Sequence, residues 1–318
     1  MTGHVHAALL EIDALNVHYG DYHALKHLSL WAYPGELIGI IGPNGAGKTS
    51  FIKALCGRIK HDGVIRVSQH TLKQGADRRA HIGLVPQDIG LYPHLTALEN
   101  LLVIASLLKV PKSEQSDAAI QAIEAVDMGE HAHKKVADLS GGMKRRINVA
   151  AAIMHNPALV IFDEPTAGVD IPARDTVHRL ARELSRRGMA VLLITHELEQ
   201  AEALCDKILV LNQGSALAFD TPSNILMHCF TGALEVVVRF SAPPAHKTLA
   251  AMQAFEFRQG ELPTIWKTMT RASEASFVSA FMTALSGGGG DDSVREISVR
   301  RPGLTALMHR IESTGALL

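Results

Sequence analysis

The sequence of 318 residues is long enough for about two domains. Its 31 basic and 32 acidic residues nearly cancel, so bulk charge does not indicate nucleic acid or an acidic membrane surface as a partner. Three widely spaced cysteines form neither a metal-ligand pair nor a disulfide framework, which favours a reducing cytoplasm. No stretch approaches 18 uninterrupted apolar residues, so we expect no membrane span, and any role at a membrane must come through a partner.

Apolar runs of strand length recur along the first two thirds of the chain and alternate with helical stretches. Because each run is continuous, it predicts a strand buried on both faces of a parallel sheet. The alternation of strands and helices indicates an α/β fold. A helix-rich stretch interrupts it and predicts an inserted helical subdomain at about residues 90–155. The strands are predicted at 37–41, 159–162, 191–195 and 207–211, and helices at 49–57 and 171–187.

The pattern changes after residue 228, where we place a domain boundary. A β-α-β-β-α-β order is predicted there, which is the split βαβ arrangement of a small ferredoxin-like α+β domain. The expected domains are therefore 1–228 and 229–318. In the second domain, strands are predicted at 233–240 and 294–300, a hairpin across 255–269, and helices at 245–255, 273–285 and 303–313.

A glycine-rich sequence, GPNGAGKT at 42–49, follows the first apolar run and precedes a predicted helix. It is a complete G-x-x-x-x-G-K-[ST] phosphate loop in the strand–turn–helix context that the motif requires. Its backbone N–H groups can surround phosphate oxygens, and the helix N-terminus adds partial positive charge. Lys48 can reach the β- and γ-phosphates, and the Thr49 hydroxyl can ligate Mg²⁺. The sequence therefore predicts an α/β fold of the P-loop NTPase class.

Two adjacent carboxylates, Asp163 and Glu164, end the apolar run that precedes them. We expect Asp163 to hold the Mg²⁺ shell of the bound nucleotide. Glu164 is one residue further on and faces another direction, so it can polarise an attacking water as a general base. With the phosphate loop upstream, the pair predicts a Mg²⁺-dependent ATPase.

The sequence LSGGMKRR at 139–146 points to a family. Taken with the motifs above, it makes the chain resemble the ATP-binding subunits of ABC transporters over essentially all of residues 10–228. The motifs stand in the family's order. The resemblance implies that Tyr19 stacks on adenine, that Gln87 joins the Mg²⁺ site to a transmembrane partner, and that His196 contacts the γ-phosphate.

The resemblance also implies the full set of site residues, each carried over by its motif. Catalysis is expected from Lys48, Glu164 and His196, and Mg²⁺ ligation from Thr49, Gln87 and Asp163. The loop 167–170 is expected to contact a second ATPase subunit. The nucleotide-binding residues are then Tyr19, Gly42, Pro43, Asn44, Gly45, Ala46, Gly47, Lys48, Thr49, Ser50, Gln87, Ser140, Gly141, Gly142 and Asp170.

The signature carries Met143 where glutamine is common, but the Ser140 hydroxyl and the N–H groups of the two following glycines are kept. The LSGGM-KRR form and DEPTAGVD resemble ATPases that serve drug, lipid and polysaccharide exporters. The closing VREISVRRPGLTALMHRI resembles the accessory domain of daunorubicin-resistance-like export ATPases. It departs from that pattern at Gly303, which replaces a serine, and at His309, which stands near the usual aromatic residue.

One copy of each motif implies that a chain carries half of two composite ATP sites. The resemblance implies a head-to-tail dimer, with the same chain or with a related ATPase, in which Ser140 and Gly142 complete the partner's site. ATP binding closes this dimer, and hydrolysis opens it. The implied partner is a separate transmembrane permease, and the implied location is the cytoplasmic face of the cell membrane, peripherally bound. No nucleic-acid partner is expected.

Two alternatives remain at this point. The first is a soluble ABC ATPase in DNA repair, translation or iron–sulfur assembly. Long coiled-coil heptads or tandem cassettes would favour it, and the sequence has neither. The second is the ATPase of an importer with a regulatory C-terminal domain, against which the LSGGM form and the closing RRP motif argue.

Overall fold

The computed structural model describes residues 7–72, 78, 80–168, 171–260, 262–287 and 294–317. The chain divides into two compact units. The first contains the residues up to Pro222 together with Ile311–Leu317, and the second contains Ser223–Arg310. The division falls inside a helix, Pro222–Cys229, whose last residues include the boundary expected from the sequence.

The first unit contains two sheets and a group of helices. Its strands are β1 (Leu10–Tyr19), β2 (Tyr22–Ala32), β3 (Leu37–Ile41), β4 (Asp62–Val67), β5 (His70–Thr71), β6 (Ile82–Val85), β7 (Leu159–Asp163), β8 (Ala190–Ile194), β9 (Lys207–Asn212) and β10 (Ser215–Asp220). Its helices are α1 (Lys48–Leu55), α2 (Ala97–Leu107), α3 (Gln115–Glu124), α4 (Gly141–Ile153), α5 (Ile171–Arg186) and α6 (Leu198–Leu204), and α7 (Pro222–Cys229) starts at its end.

The main sheet has the strand order β10-β9-β3-β8-β7-β6. Its neighbours from β9 to β6 are parallel, and β10 joins β9 antiparallel at one edge. All residues of β3 and β8 are buried, as continuous apolar runs predict for strands covered on both faces. The four strands predicted from the sequence are thereby confirmed, with ends within one residue.

A second sheet is antiparallel, in the order β2-β1-β4-β5. The sequence analysis did not predict it, because its strands alternate buried and exposed residues instead of forming continuous apolar runs. In β1, for example, Leu10 and Ile12 are buried and Glu11 between them is exposed. The buried faces of both sheets contribute to one core cluster, which also contains Phe51 of α1.

The stretch predicted to be rich in helix contains α2, α3 and α4, which lie between β6 and β7 in the chain. A capping box starts α2, since the Thr96 hydroxyl accepts from the Glu99 N–H at 3.1 Å and the Glu99 carboxylate accepts from the Thr96 N–H at 2.7 Å. The helix α4 begins at Gly141, within the signature, so the signature lies at the N-terminal end of this helix.

The second unit contains a four-stranded antiparallel sheet in the order β12-β13-β11-β14. Its elements follow in the order β-α-β-β-α-β and then a last helix. Its core is aromatic, with Phe257 and Phe281 ring centroids 4.9 Å apart. The elements are β11 (Leu234–Phe240), α8 (His246–Ala254), β12 (Arg258–Gln259), β13 (Ile265–Thr270), α9 (Glu274–Gly287), β14 (Val294–Arg300) and α10 (Leu304–Thr314), of which α10 belongs to this unit up to Arg310.

Candidate nucleotide-binding site

The phosphate loop, Gln87, Glu164 and His196, all predicted site residues, lie at one edge of the main sheet. The strands β3, β8, β7 and β6 are neighbours and parallel, so their carboxyl ends lie together. The phosphate loop follows β3, Glu164 follows β7, His196 follows β8 and Gln87 follows β6. In open α/β sheets this edge is where ligands bind. The fold therefore brings together residues that are up to 154 positions apart in the chain.

The phosphate loop is shaped by glycines at three positions. Gly45 and Gly47 have φ values of 79° and 110°, in the left-handed region that favours glycine. Gly42 meets a different constraint, because a Cβ there would lie 2.2 Å from the Leu211 carbonyl oxygen of β9. The helix α1 begins at Lys48, and no side chain of the described residues caps its N-terminus. The first N–H groups of this helix are therefore available to an anion.

Lys48 is buried against the loop that precedes it. Its Nζ donates to the Gly42 carbonyl at 2.6 Å and to the Pro43 carbonyl at 3.1 Å. Burial lowers the pKa of Lys48, and the nearby carboxylates of Glu164 and Asp163 oppose that shift. Among the described residues this buried ammonium is held by carbonyl oxygens and forms no salt bridge, so it can turn to a phosphate without first breaking one.

Glu164 and His196 are in direct contact. His196 Nε2 lies 2.7 Å from Glu164 Oε1, and both side chains remain partly open to solvent. The pairing of β7 with β8 places them side by side, because Asp163 is opposite Ile194 in the register. Glu164 has a φ of 46°, which is uncommon for a residue with a Cβ and is often found at functional positions.

Asp163 is the last residue of β7 and is half-buried. Burial raises the pKa of this carboxyl, the adjacent Glu164 raises it further, and Lys48 opposes both. At this edge the neighbouring carboxylates of Asp163 and Glu164 interact with the ammonium of Lys48, which can balance only one of their two negative charges. A divalent cation with oxygen ligands would balance the other, so the residues present fit the predicted magnesium site.

Tyr19 lies at the end of β1 and is 44% exposed. Its hydroxyl is 3.5 Å from Ser50 Oγ, at the start of α1. An exposed aromatic ring next to the phosphate loop can stack on a base. Gln87 follows β6 with an exposed side chain, at the same sheet edge.

The signature residues lie at the start of α4. The Ser140 hydroxyl caps the helix by accepting from the Met143 N–H at 3.3 Å. The nearest neighbour of Gly142 is Ala173 of α5, whose Cβ would lie 3.1 Å from an added Cβ. Among the described residues, no hydrogen bond or ion pair joins Ser140, Gly141 or Gly142 to the phosphate loop. The predicted partner-contacting residue Asp170 lies outside the described residues.

The structure adds residues that the sequence analysis did not select. Glu197, directly after His196, accepts from Arg174 Nη1 at 3.0 Å and lies 3.4 Å from His178 Nε2, both on α5. The Thr195 hydroxyl also accepts from the Glu197 N–H at 2.9 Å. These contacts hold the segment that carries His196. Glu197 could have been selected from the sequence because it is a charged residue directly after the predicted site histidine, His196.

None of the helices among the described residues combines the length and the apolar character needed to cross a membrane.

Comparison with known proteins gives a consistent result. A family model described as ABC transporter matches residues 25–167. The linearmycin resistance ATP-binding protein LnrL of Bacillus subtilis (strain 168) is 38% identical over 219 residues, which cover 68% of this chain and 70% of that protein. Nod factor export ATP-binding protein I of Paraburkholderia xenovorans (strain LB400) is 37% identical over 221 residues, covering 69% and 73%.

The fold of this chain is also similar to that of a solved structure. That structure is a dimeric, post-hydrolysis state of the ATP-binding cassette MJ0796, bound to ADP and Pi. It matches with a TM-score of 0.57 at 25% identity, over 67% of this chain and 98% of that one. The sheet edge described above, these relatives and the family model agree. The chain belongs to the ABC transporter family, as an ATP-binding and ATP-hydrolysing protein.

Proposed function

We propose that this chain is the energising subunit of a membrane exporter and that its nucleotide site is the carboxyl edge of the main sheet. The observation that carries the proposal is the convergence of the phosphate loop, Asp163, Glu164 and His196 at that edge. Export is favoured because the relatives described above are named for linearmycin resistance and Nod factor export. These names support an exporter over the two alternatives left open by the sequence.

In this proposal the loop residues 42–50 bind the triphosphate through backbone N–H groups, and Lys48 turns from the loop carbonyls to the β- and γ-phosphates. Tyr19 stacks on the adenine. Thr49, Gln87 and Asp163 hold Mg²⁺. When bound, this ion neutralises charge on the phosphate oxygens.

Glu164 acts as the general base. Its carboxylate takes a proton from the water that attacks the γ-phosphorus, while the bond from that phosphorus to the β–γ bridging oxygen breaks and ADP leaves. His196 Nε2 lies 2.7 Å from the carboxylate and orients it, and in this proposal His196 also contacts the γ-phosphate. The contacts of Glu197 with α5 keep His196 in position.

We further propose a head-to-tail dimer in which Ser140, Gly141, Gly142 and Asp170 of one subunit complete the site of the other. The support is that, among the described residues, no hydrogen bond joins the signature to its own phosphate loop, and that an ATP-binding cassette similar to this chain is known as a dimer. The subunit is then peripheral at the cytoplasmic face of the cell membrane, bound to a separate permease. The second unit, Ser223–Arg310, serves as an accessory domain.

The test is to purify a tagged Glu164→Gln protein with ATP from solubilised membranes of the native host and to identify what co-purifies. The proposal expects a polytopic membrane protein in stoichiometric amount. Recovery only in the soluble fraction, with ribosomal, nucleic-acid or cluster-assembly partners, would refute the transport role while leaving the ATPase chemistry intact.

A further inference from the structure

Arg145 connects the signature helix to the glutamine loop. It lies on α4, five residues after Ser140, and its side chain is only 3% exposed. Its Nη1 donates to the Pro86 carbonyl at 2.9 Å. Pro86 is the residue directly before Gln87. The guanidinium therefore holds the backbone from which the predicted Mg²⁺ ligand projects.

The same carbonyl receives a second donor, and the strand before it is packed tightly against α4. Asn148, about one helical turn beyond Arg145, donates from Nδ2 to the Pro86 oxygen at 3.4 Å. Gly83 of β6 approaches α4 so closely that an added Cβ would lie 2.2 Å from the Ala152 carbonyl oxygen. The strand, the start of the glutamine loop and the signature helix are thus joined at three points.

The two basic neighbours of Arg145 bind other segments. Arg146 Nη1 donates to the carbonyls of Val126 at 3.4 Å and Asp127 at 3.3 Å, just after the end of α3. Lys144 Nζ donates to the Ala137 carbonyl at 3.2 Å. Within the described part of the chain, Arg145 is the one of these three basic residues whose side chain hydrogen-bonds to the glutamine loop.

Arg145 is also costly to bury. Taking a guanidinium out of water is unfavourable unless its hydrogen bonds are specific and well placed. Its carbonyl partner, Pro86, is neutral, and its Nε is buried without a hydrogen-bond partner among the described residues. Burial lowers the pKa of Arg145, and the carboxylate of Asp88, also in the glutamine loop, opposes that shift. The carbonyl and the carboxylate that favour the charge of Arg145 thus belong to the segment that it holds.

We propose that Arg145 is a positioning residue that couples the two composite ATP sites of the dimer. Gln87 belongs to the subunit's own site, whereas Ser140–Gly142, on the helix of Arg145, belong to the partner's site. Movement of the glutamine loop on nucleotide binding is then passed through Arg145 to the signature, so each site depends on the occupancy of the other. The inference rests on the dimer of the proposed function.

The substitution Arg145→Gln removes the positively charged guanidinium while keeping much of the side-chain volume. Binding of a fluorescent ATP analogue to the dilute monomer is expected to stay within about twofold of the parent, because Arg145 lies outside the phosphate loop. ATP-driven dimerisation, measured by sedimentation in a Glu164→Gln background, is expected to weaken about tenfold or more. With Glu164 intact, the Hill coefficient of ATP hydrolysis is expected to fall towards one.

Two variants separate coupling from general loss of structure. Arg145→Lys keeps a charged donor and is expected to restore most of the dimerisation and the Hill coefficient. Arg146→Gln is the matched control, because it removes a neighbouring basic side chain that does not contact the glutamine loop, and it is expected to dimerise like the parent. If Arg145→Gln does not fold, Asn148→Leu removes the second donor to the same carbonyl and is expected to weaken dimerisation by about threefold.

Parental dimerisation and a parental Hill coefficient in Arg145→Gln, or parental dimerisation in Asn148→Leu when that variant replaces it, would overturn the inference. An equal loss in Arg145→Gln and in the Arg146→Gln control would also overturn it, because the effect would then be a general one of the helix. Failure of the Glu164→Gln parent itself to bind ATP would refute the proposed function, and its failure to dimerise with itself would refute a dimer of this chain; either result would remove the role of Arg145.

Discussion

His196 Nε2 lies 2.7 Å from Glu164 Oε1, although the two residues are 32 positions apart in the chain. The contact follows from the sheet, because β7 and β8 are parallel neighbours and each residue stands just beyond its strand. An imidazole in this position can fix the direction of the carboxylate. The predicted base and the predicted γ-phosphate contact therefore act as a unit, and changes to either should affect turnover more than binding.

The first prediction concerns His196. His196→Ala removes the hydrogen bond to Glu164 and is expected to lower kcat by about tenfold to a hundredfold, with ATP affinity within about twofold of the parent. Steady-state ATP hydrolysis and equilibrium binding measure the two quantities. His133→Ala is the control, because His133 is exposed on the helical subdomain. A rise in KM with kcat unchanged would contradict the role given to His196.

The second prediction concerns Lys48. Lys48→Ala leaves the triphosphate without its ammonium and is expected to weaken ATP binding by about tenfold or more. Lys53→Ala is matched to it, since Lys53 lies on the same helix, α1, with an exposed side chain, and it should bind ATP like the parent. Titration with a fluorescent ATP analogue measures the ATP affinity of both variants. Equal affinity in the two variants would show that the triphosphate does not lie on this loop.

A stability prediction follows from the packing of β6 on α4. Gly83→Ala would place a Cβ 2.2 Å from the Ala152 carbonyl oxygen, a backbone atom that cannot turn aside. We expect a loss of about 1–3 kcal/mol in the free energy of unfolding. At Gly90 no atom lies within 4 Å of an added Cβ, so Gly90→Ala should leave the unfolding midpoint close to that of the parent. Denaturant unfolding of both variants gives the comparison, and similar midpoints would contradict the packing described.

The fourth prediction is a pH dependence of stability. His61 Nε2 lies 2.9 Å from Arg78 Nη2, so the imidazole must be neutral to accept this hydrogen bond. Burial lowers the pKa of His61, and the charge of Arg78 lowers it further. As the pH falls below about 6.5, the unfolded chain takes up this proton first. Stability is therefore lost between that pH and the lower pKa of the folded state.

His61→Gln keeps an acceptor but cannot titrate, so its Tm should fall less than that of the parent between neutral and mildly acidic pH. Thermal unfolding at a series of pH values measures this difference. The exposed His133 serves again as a control, since His133→Gln should follow the parent. If the Tm of His61→Gln fell at acidic pH as much as that of the parent, His61 would not be the group that causes the loss of stability.

The residues that sequence reasoning located best are those within single motifs. The phosphate loop and Asp163–Glu164 each follow a continuous apolar run, and such runs mark buried strands regardless of the rest of the fold. The antiparallel sheet was missed because an alternating, half-buried strand resembles a surface segment until its partner is known. Contacts such as Arg145 to Pro86 join positions 59 apart and depend on the packing of α4 on β6, which no local pattern encodes.

The domain boundary also depends on contacts between segments that are distant in the chain, which local sequence patterns do not encode. The change of pattern near residue 228 is real in the sequence, but the compact units divide between Pro222 and Ser223, and Ile311–Leu317 belongs to the first unit. A chain segment that returns to the first unit leaves no mark in local composition. That the second unit is an accessory domain stays a prediction.

The most direct test of the central claim is ATP turnover by Glu164→Gln at saturating ATP and Mg²⁺, compared with the parent. Glutamine keeps the size of the side chain and a hydrogen-bond acceptor for His196, but it is not a base. We predict a loss of about a hundredfold or more in kcat while ATP remains bound. Turnover at the parental rate would contradict the assignment of Glu164 and the mechanism built on its contact with His196.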